Sequence, residues 1–60
     1  MTLVFNDHEI KIYPDCIRIY NGNGTLDDIV FITKDEYKFY KLHLKSNSFR
    51  NAFGIKDVEW

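Results

Sequence analysis

Cys16, His8, His43 and a scatter of aspartates are the residues of this chain suited to nucleophilic catalysis or metal binding. A thiolate beside an imidazole can attack an electrophilic carbon, and His, Cys and carboxylate ligands hold zinc when three or four converge. The spacing favours neither chemistry. There is no Cys-x-x-Cys pair, and no two histidines lie one helical turn apart. Cys16 reads as a small packed hydrophobe, His8 as a solvated turn residue and His43 as a residue on a helix flank. The expectation is a chain without catalytic residues, metal or cofactor.

Two other groupings could bind rather than react. Lys34, Lys38, Lys41 and Lys45 recur at helical spacing and form one basic stripe. Facing a nucleic-acid backbone, such a stripe would bind by releasing counterions, and Tyr13 and Tyr20 could stack on bases. The competing explanation is a solvated helix face whose lysine stems cover apolar surface, with the tyrosines packed across strands. The acids Asp27, Asp28, Asp35 and Glu36 crowd the region leading into the helix, where capping, turn solvation and the helix dipole account for them.

The second grouping is apolar. Phe39, Leu42, Phe49 and Phe53 fall along one helical stripe if the helix runs on past Ser46-Asn47-Ser48, and Trp60 follows as the last residue. Aromatic anchors in an apolar patch are the usual substance of a protein interface. These five are the candidate partner-binding residues, for a larger protein or for a second copy in a homodimer. The lysine stripe is the alternative, nucleic-acid-binding site.

The elements that must position these residues follow from a change of hydrophobic period at Thr33. Before it, apolar and polar residues alternate, as in Glu9-Ile10-Lys11-Ile12 and Cys16-Ile17-Arg18-Ile19. Leu3-Val4-Phe5, residues 8–13, 16–20 and 29–32 read as four strands. They are divided by turns at Asn6-Asp7, Pro14-Asp15 and Asn21-Gly22-Asn23-Gly24. Pairing Tyr20 with Thr25 sets Arg18 against Asp27, and leaves Asp28 on the apolar face unless a bulge or loop end intervenes near Asp27-Asp28.

Thr33-Lys34-Asp35-Glu36 then reads as a capping box opening a helix that reaches at least Lys45. Tyr37, Tyr40 and Leu44 form one stripe, with Phe39 and Leu42 roughly opposite. Two stripes need two surfaces. A break near Ser46-Asn47-Ser48 with a short second helix, a covering tail over 55–60, or an interface would each supply the second. Lys41-Leu42-His43-Leu44-Lys45 also alternates, so a strand competes locally with the helix.

The predicted fold is therefore α+β over residues 1–60 as one domain. It is a four-stranded antiparallel meander followed by one main helix packed on one face, with a short second helix or a C-terminal strand as options for the rest. The expected core is Ile10, Ile12, Ile17, Ile19, Val30, Ile32, Tyr37, Tyr40 and Leu44, joined by Phe5 or Val4.

Composition limits what such a domain can do. At 45% hydrophobic and 17% aromatic the chain should fold, but sixty residues bury only about 60% of the surface their unfolded form exposes. A lone cysteine, no apolar run of the ~20 residues a membrane span needs, and no basic signal-peptide start point to a cytosolic, soluble chain. A net charge of −1 supplies no field towards nucleic acid or anionic lipid. The abundance of Ile, Lys, Asn, Phe and Tyr suggests A+T-rich codons, as in a low-GC bacterium, its phages or its mobile elements. The leading expectation is a non-enzymatic protein-binding module, such as a small regulator or inhibitor of a larger host protein. A structural subunit of a larger particle is a third possibility.

Overall fold

The computed structural model describes residues Met1–Trp60. Five strands and two helices follow in the order β1 (Thr2–Phe5), β2 (His8–Ile12), β3 (Cys16–Tyr20), β4 (Leu26–Phe31), α1 (Lys34–Leu44), α2 (Asn47–Phe53) and β5 (Lys56–Glu59). The first four strands form the antiparallel meander expected from the alternation. The helices then carry the chain back across one face, so that β5 pairs with β1 and the sheet order is β4-β3-β2-β1-β5. Five strands thus replace the expected four, and both the short second helix and the C-terminal strand are present.

Each hairpin is set by its turn chemistry. Asn6 and Asp7 adopt φ of 49° and 61°, the two left-handed residues that a two-residue hairpin loop needs to match the strands' twist. Phe5 consequently faces His8, and Leu3 faces Ile10. Ile12 in turn faces Ile17 and Ile10 faces Ile19, which lines one sheet face with isoleucine.

The third hairpin differs from expectation by one residue. Asn21 closes a three-residue loop: its amide donates to the Thr25 carbonyl at 2.9 Å, and its side-chain oxygen accepts from the amides of Asn23 and Thr25. Gly24 at φ 82° supplies the left-handed end of that loop. Tyr20 therefore pairs with Leu26 rather than Thr25. The bulge foreseen near Asp27-Asp28 follows at once, and Ile19 faces Asp28 while Arg18 faces Ile29 instead of Asp27. Asp28 stays on the isoleucine face, yet β4 is an edge strand exposed along its whole length. Its carboxylate is solvated and accepts from the Ile29 amide at 2.8 Å.

At the start of α1 the capping box is complete. The Thr33 hydroxyl accepts from the Glu36 amide at 3.2 Å, and the Glu36 carboxylate accepts from the Thr33 amide at 3.0 Å. α1 ends at Leu44 because Ser46 turns extended and caps α2, its hydroxyl accepting from the Phe49 amide. Arg50 locks the corner by donating to the Leu44 carbonyl and to the Asn47 side chain. Gly54, left-handed at φ 70°, terminates α2 and releases the chain into β5.

The core is small. Leu3, Ile12 and Leu44 are buried together where β1, β2 and the end of α1 meet. Ile10, Ile17, Ile32, Tyr37 and Tyr40 pack against them half-buried, as do Phe5, Phe49, Ile55 and Val58. From β1 it is Leu3 that enters the core, with Phe5 beside it, because the Asn6-Asp7 turn puts both on the isoleucine face. Val30, expected inside, is 43% exposed because β4 is the edge strand.

Candidate functional site

The helices do not close over the sheet. Between them and the isoleucine face lies an open apolar groove of about 340 Å3. Its floor is Leu3, Phe5, Ile10, Ile12, Ile17 and Ile19, and its walls are Phe39, Tyr40, His43, Leu44, Phe49, Phe53 and Ile55. His43 is the only lining residue that is not hydrophobic.

The rim is an unbroken run of rings. Phe39 stacks on His43 at 4.1 Å between centroids, His43 meets Phe49 edge-on at 5.6 Å, and Phe49 lies 4.7 Å from Phe53. Helical spacing accounts for both ends of the run: Phe39 and His43 are one turn apart in α1, Phe49 and Phe53 one turn apart in α2. The Ser46 corner, locked by Arg50, brings the two pairs together. A bond between the His43 Nδ1 and the Phe39 carbonyl, 2.9 Å, fixes the imidazole in the stack. In this bond the ring nitrogen donates. Phe39 and Phe53 are each more than half exposed, so the outer faces of the ladder are open to a partner.

Of the five residues proposed for partner binding, three come together: Phe39, Phe49 and Phe53. Leu42 is 70% exposed and outside the groove. Trp60 lies elsewhere again, in a shallow polar depression with Lys41, Lys45, Asn47 and Arg50. The lysine stripe is thus divided, Lys41 and Lys45 gathering around an indole while Lys34 and Lys38 stand in solvent. Lys41 also lies 5.9 Å above the Tyr37 ring. Sequence spacing missed Arg50 and Asn47 as members of the basic cluster, and His43 as the link in the aromatic one. The signal for His43 was its position four residues after Phe39.

The remaining polar residues are dispersed. His8 Nδ1 donates to the Asn6 carbonyl at 2.8 Å, and its Nε2 lies 3.7 Å from Asp27. Cys16 is buried on the sheet face away from the helices, opposite Phe31. On that far face Arg18 lies over Tyr13 and Lys11 over Tyr20, both within 6 Å of the ring. The Tyr20 hydroxyl, and after it the Cys16 thiol, hold the Arg18 guanidinium above its ordinary pKa. Arginine is protonated throughout the accessible range, so this interaction introduces no pH dependence.

No helix is long and apolar enough to cross a membrane. Comparison with protein families, curated proteins and solved structures returns no match. The functional reading therefore rests on the groove, its rim and the basic cluster.

Proposed function

We propose that this chain is a non-enzymatic protein-binding module, a small regulator or inhibitor that takes an apolar segment of a larger protein into the groove between its helices and its sheet. The observation that carries this reading is the aromatic ladder Phe39, His43, Phe49 and Phe53 around an apolar cleft. Rings fixed by mutual stacking lose little conformational entropy on binding, and the apolar floor gains from desolvation. A cleft of this size holds a few large side chains, as interface anchors do.

The test uses the exposed ends of the ladder. Phe39→Ser and Phe53→Ser together should keep the circular dichroism spectrum, while the unfolding midpoint falls with the two lost ring contacts, worth about 0.5–1.5 kcal/mol each. The same pair should abolish stoichiometric, nuclease-resistant recovery of a single protein from host-cell lysate. Equal recovery by parent and variant would remove the groove as the binding site.

A second reading has its own observation: Lys41, Lys45 and Arg50 surround an exposed Trp60. Cations beside an indole suit a single-stranded nucleic acid, whose bases stack while its phosphates are neutralised. This reading expects affinity for mixed single strands that falls steeply with salt and falls again in Trp60→Ala. Absence of binding at low ionic strength would dismiss it.

A further inference from the structure

Apart from the groove, the edge of the sheet at β4 leaves apolar side chains and backbone groups open together. Leu26, Ile29, Val30 and Phe31 are all exposed there, Phe31 to 81%, so apolar side chains stand open on both sheet faces. The backbone is open as well. Ile32 donates to the Asp15 carbonyl at 3.0 Å, and the alternation of an antiparallel ladder then turns Val30 and Asp28 towards β3 and the amides of Ile29 and Phe31 outwards. Of these outward amides, that of Ile29 donates to the carboxylate of its own neighbour, Asp28.

The opposite edge is protected. β5 carries Lys56, Asp57 and Glu59 in four residues, and Asp57 at φ 53° interrupts its ladder with β1. Charge and irregularity of this kind are how natural edges avoid unwanted pairing. β4 has them only at Asp27-Asp28.

We propose that β4 pairs antiparallel with β4 of a second copy of this chain about a two-fold axis at Val30, joining two five-stranded sheets into one. The register follows from chemistry. With Val30 opposite Val30 of the second copy, Ile29 and Phe31 face each other twice, their outward amides and carbonyls meet, and Asp28 faces Ile32. An axis at Asp28 would oppose two carboxylates, and an axis at Ile29 would set Phe31 against Asp27. An axis at Phe31 would pair Ile29 with Thr33, whose amide is taken by Glu36 and whose carbonyl is taken by Tyr37. The Val30 axis gives the longest self-complementary run, Ile29–Val30–Phe31 against itself with free outward amides and carbonyls; the pairing ends where Asp27 meets Thr33, whose backbone is occupied. That self-complementarity selects a second copy over an unrelated strand. It leaves the groove free and is independent of the reading proposed for it.

Sedimentation equilibrium over a wide concentration range is the first test, with a reversible monomer–dimer equilibrium expected. Ile29→Pro removes an outward N–H without touching the bonds to β3, and should leave the circular dichroism of the monomer intact while abolishing the dimer. Asp28→Ala frees the Ile29 amide and should tighten the dimer. Val30→Cys should give a covalent dimer under mild oxidation, because Cα atoms of a non-hydrogen-bonded pair lie about 4.5 Å apart, within disulfide range. Ile29→Cys and the parent, with its buried Cys16, should not cross-link. A chain that stays monomeric at every concentration and does not cross-link as Val30→Cys overturns the proposal. So does a dimer that survives Ile29→Pro or is lost in Phe39→Ser/Phe53→Ser. If Ile29→Pro fails to fold, the contrast between cysteines at 30 and 29 still decides.

Discussion

The buried seam of Leu3, Ile12 and Leu44 and the aromatic ladder of Phe39, His43, Phe49 and Phe53 sit on the same side of the sheet and share the same helices. The first is nearly dry, the second largely open. Composition alone does not explain this, since the ladder carries more apolar surface than the seam. The difference lies in what each side chain touches. Leu44 comes down from the last turn of α1 onto Leu3 and Ile12, whereas Phe39, His43 and Phe53 contact neighbouring rings and, within the ladder, Phe49 alone also packs against the seam. A side chain that packs down onto the sheet stabilises the fold. One that packs sideways along a helix builds a surface.

The sharpest way to break this comparison is to truncate the seam. Leu44→Ala removes the helix's one buried residue and leaves a cavity among three elements, which costs about 2–5 kcal/mol. A sixty-residue domain has roughly 3–9 kcal/mol of stability in total. Leu44→Ala should therefore populate the unfolded state at room temperature, visible as a lost or strongly shifted urea midpoint. If the midpoint moves no more than it does for Phe53→Ser, the seam is not the core.

Next in size are the devices that aim the ladder. Thr33→Ala removes one half of the capping box and should destabilise by about 1 kcal/mol. Gly54→Ala forces a left-handed alanine with open space around it, so the penalty is backbone strain alone, again about 1 kcal/mol. Gly54→Asn, which tolerates that conformation, should recover part of it in the same thermal melts.

These devices are also what the sequence revealed most clearly. The Thr33/Glu36 box and the Asn6-Asp7 turn depend on a few neighbouring residues, so their chemistry is local; the bulge at Asp27 depends on pairing across the hairpin, and alternation alone leaves it open between a bulge and a loop end. The loop closed by Asn21 is one residue shifted from what the spacing predicts, because the Asn21 side chain, rather than the turn's backbone, fixes its length. β5 is no more than an option from the sequence, since Lys56-Asp57-Val58-Glu59 has no apolar alternation and joins β1 through backbone pairing. The site was legible in pieces. Spacing puts Phe39, Phe49 and Phe53 on one stripe only if a single helix runs on through Ser46-Asn47-Ser48, and it does not. They converge because the chain turns at Ser46, and Leu42 and Trp60 fall away from them for the same reason.

The smallest effects on stability belong to the surface that neither seam nor ladder uses. Lys38→Gln alters an exposed residue that makes no ion pair, and Lys41→Gln forfeits a half-buried cation contact over Tyr37. With Lys45→Gln added, the triple variant should change the unfolding free energy by under about 1 kcal/mol. Its value lies in the readout. If the ladder is the binding surface, the triple variant keeps the parent's partner affinity, and the salt dependence of binding stays shallow in both. If binding instead weakens as charge is removed and the salt slope drops with it, contacts run through the basic cluster around Trp60. The ladder would then be an incompletely buried part of the core, and the distinction between side chains that pack down and side chains that pack sideways would lose its functional meaning.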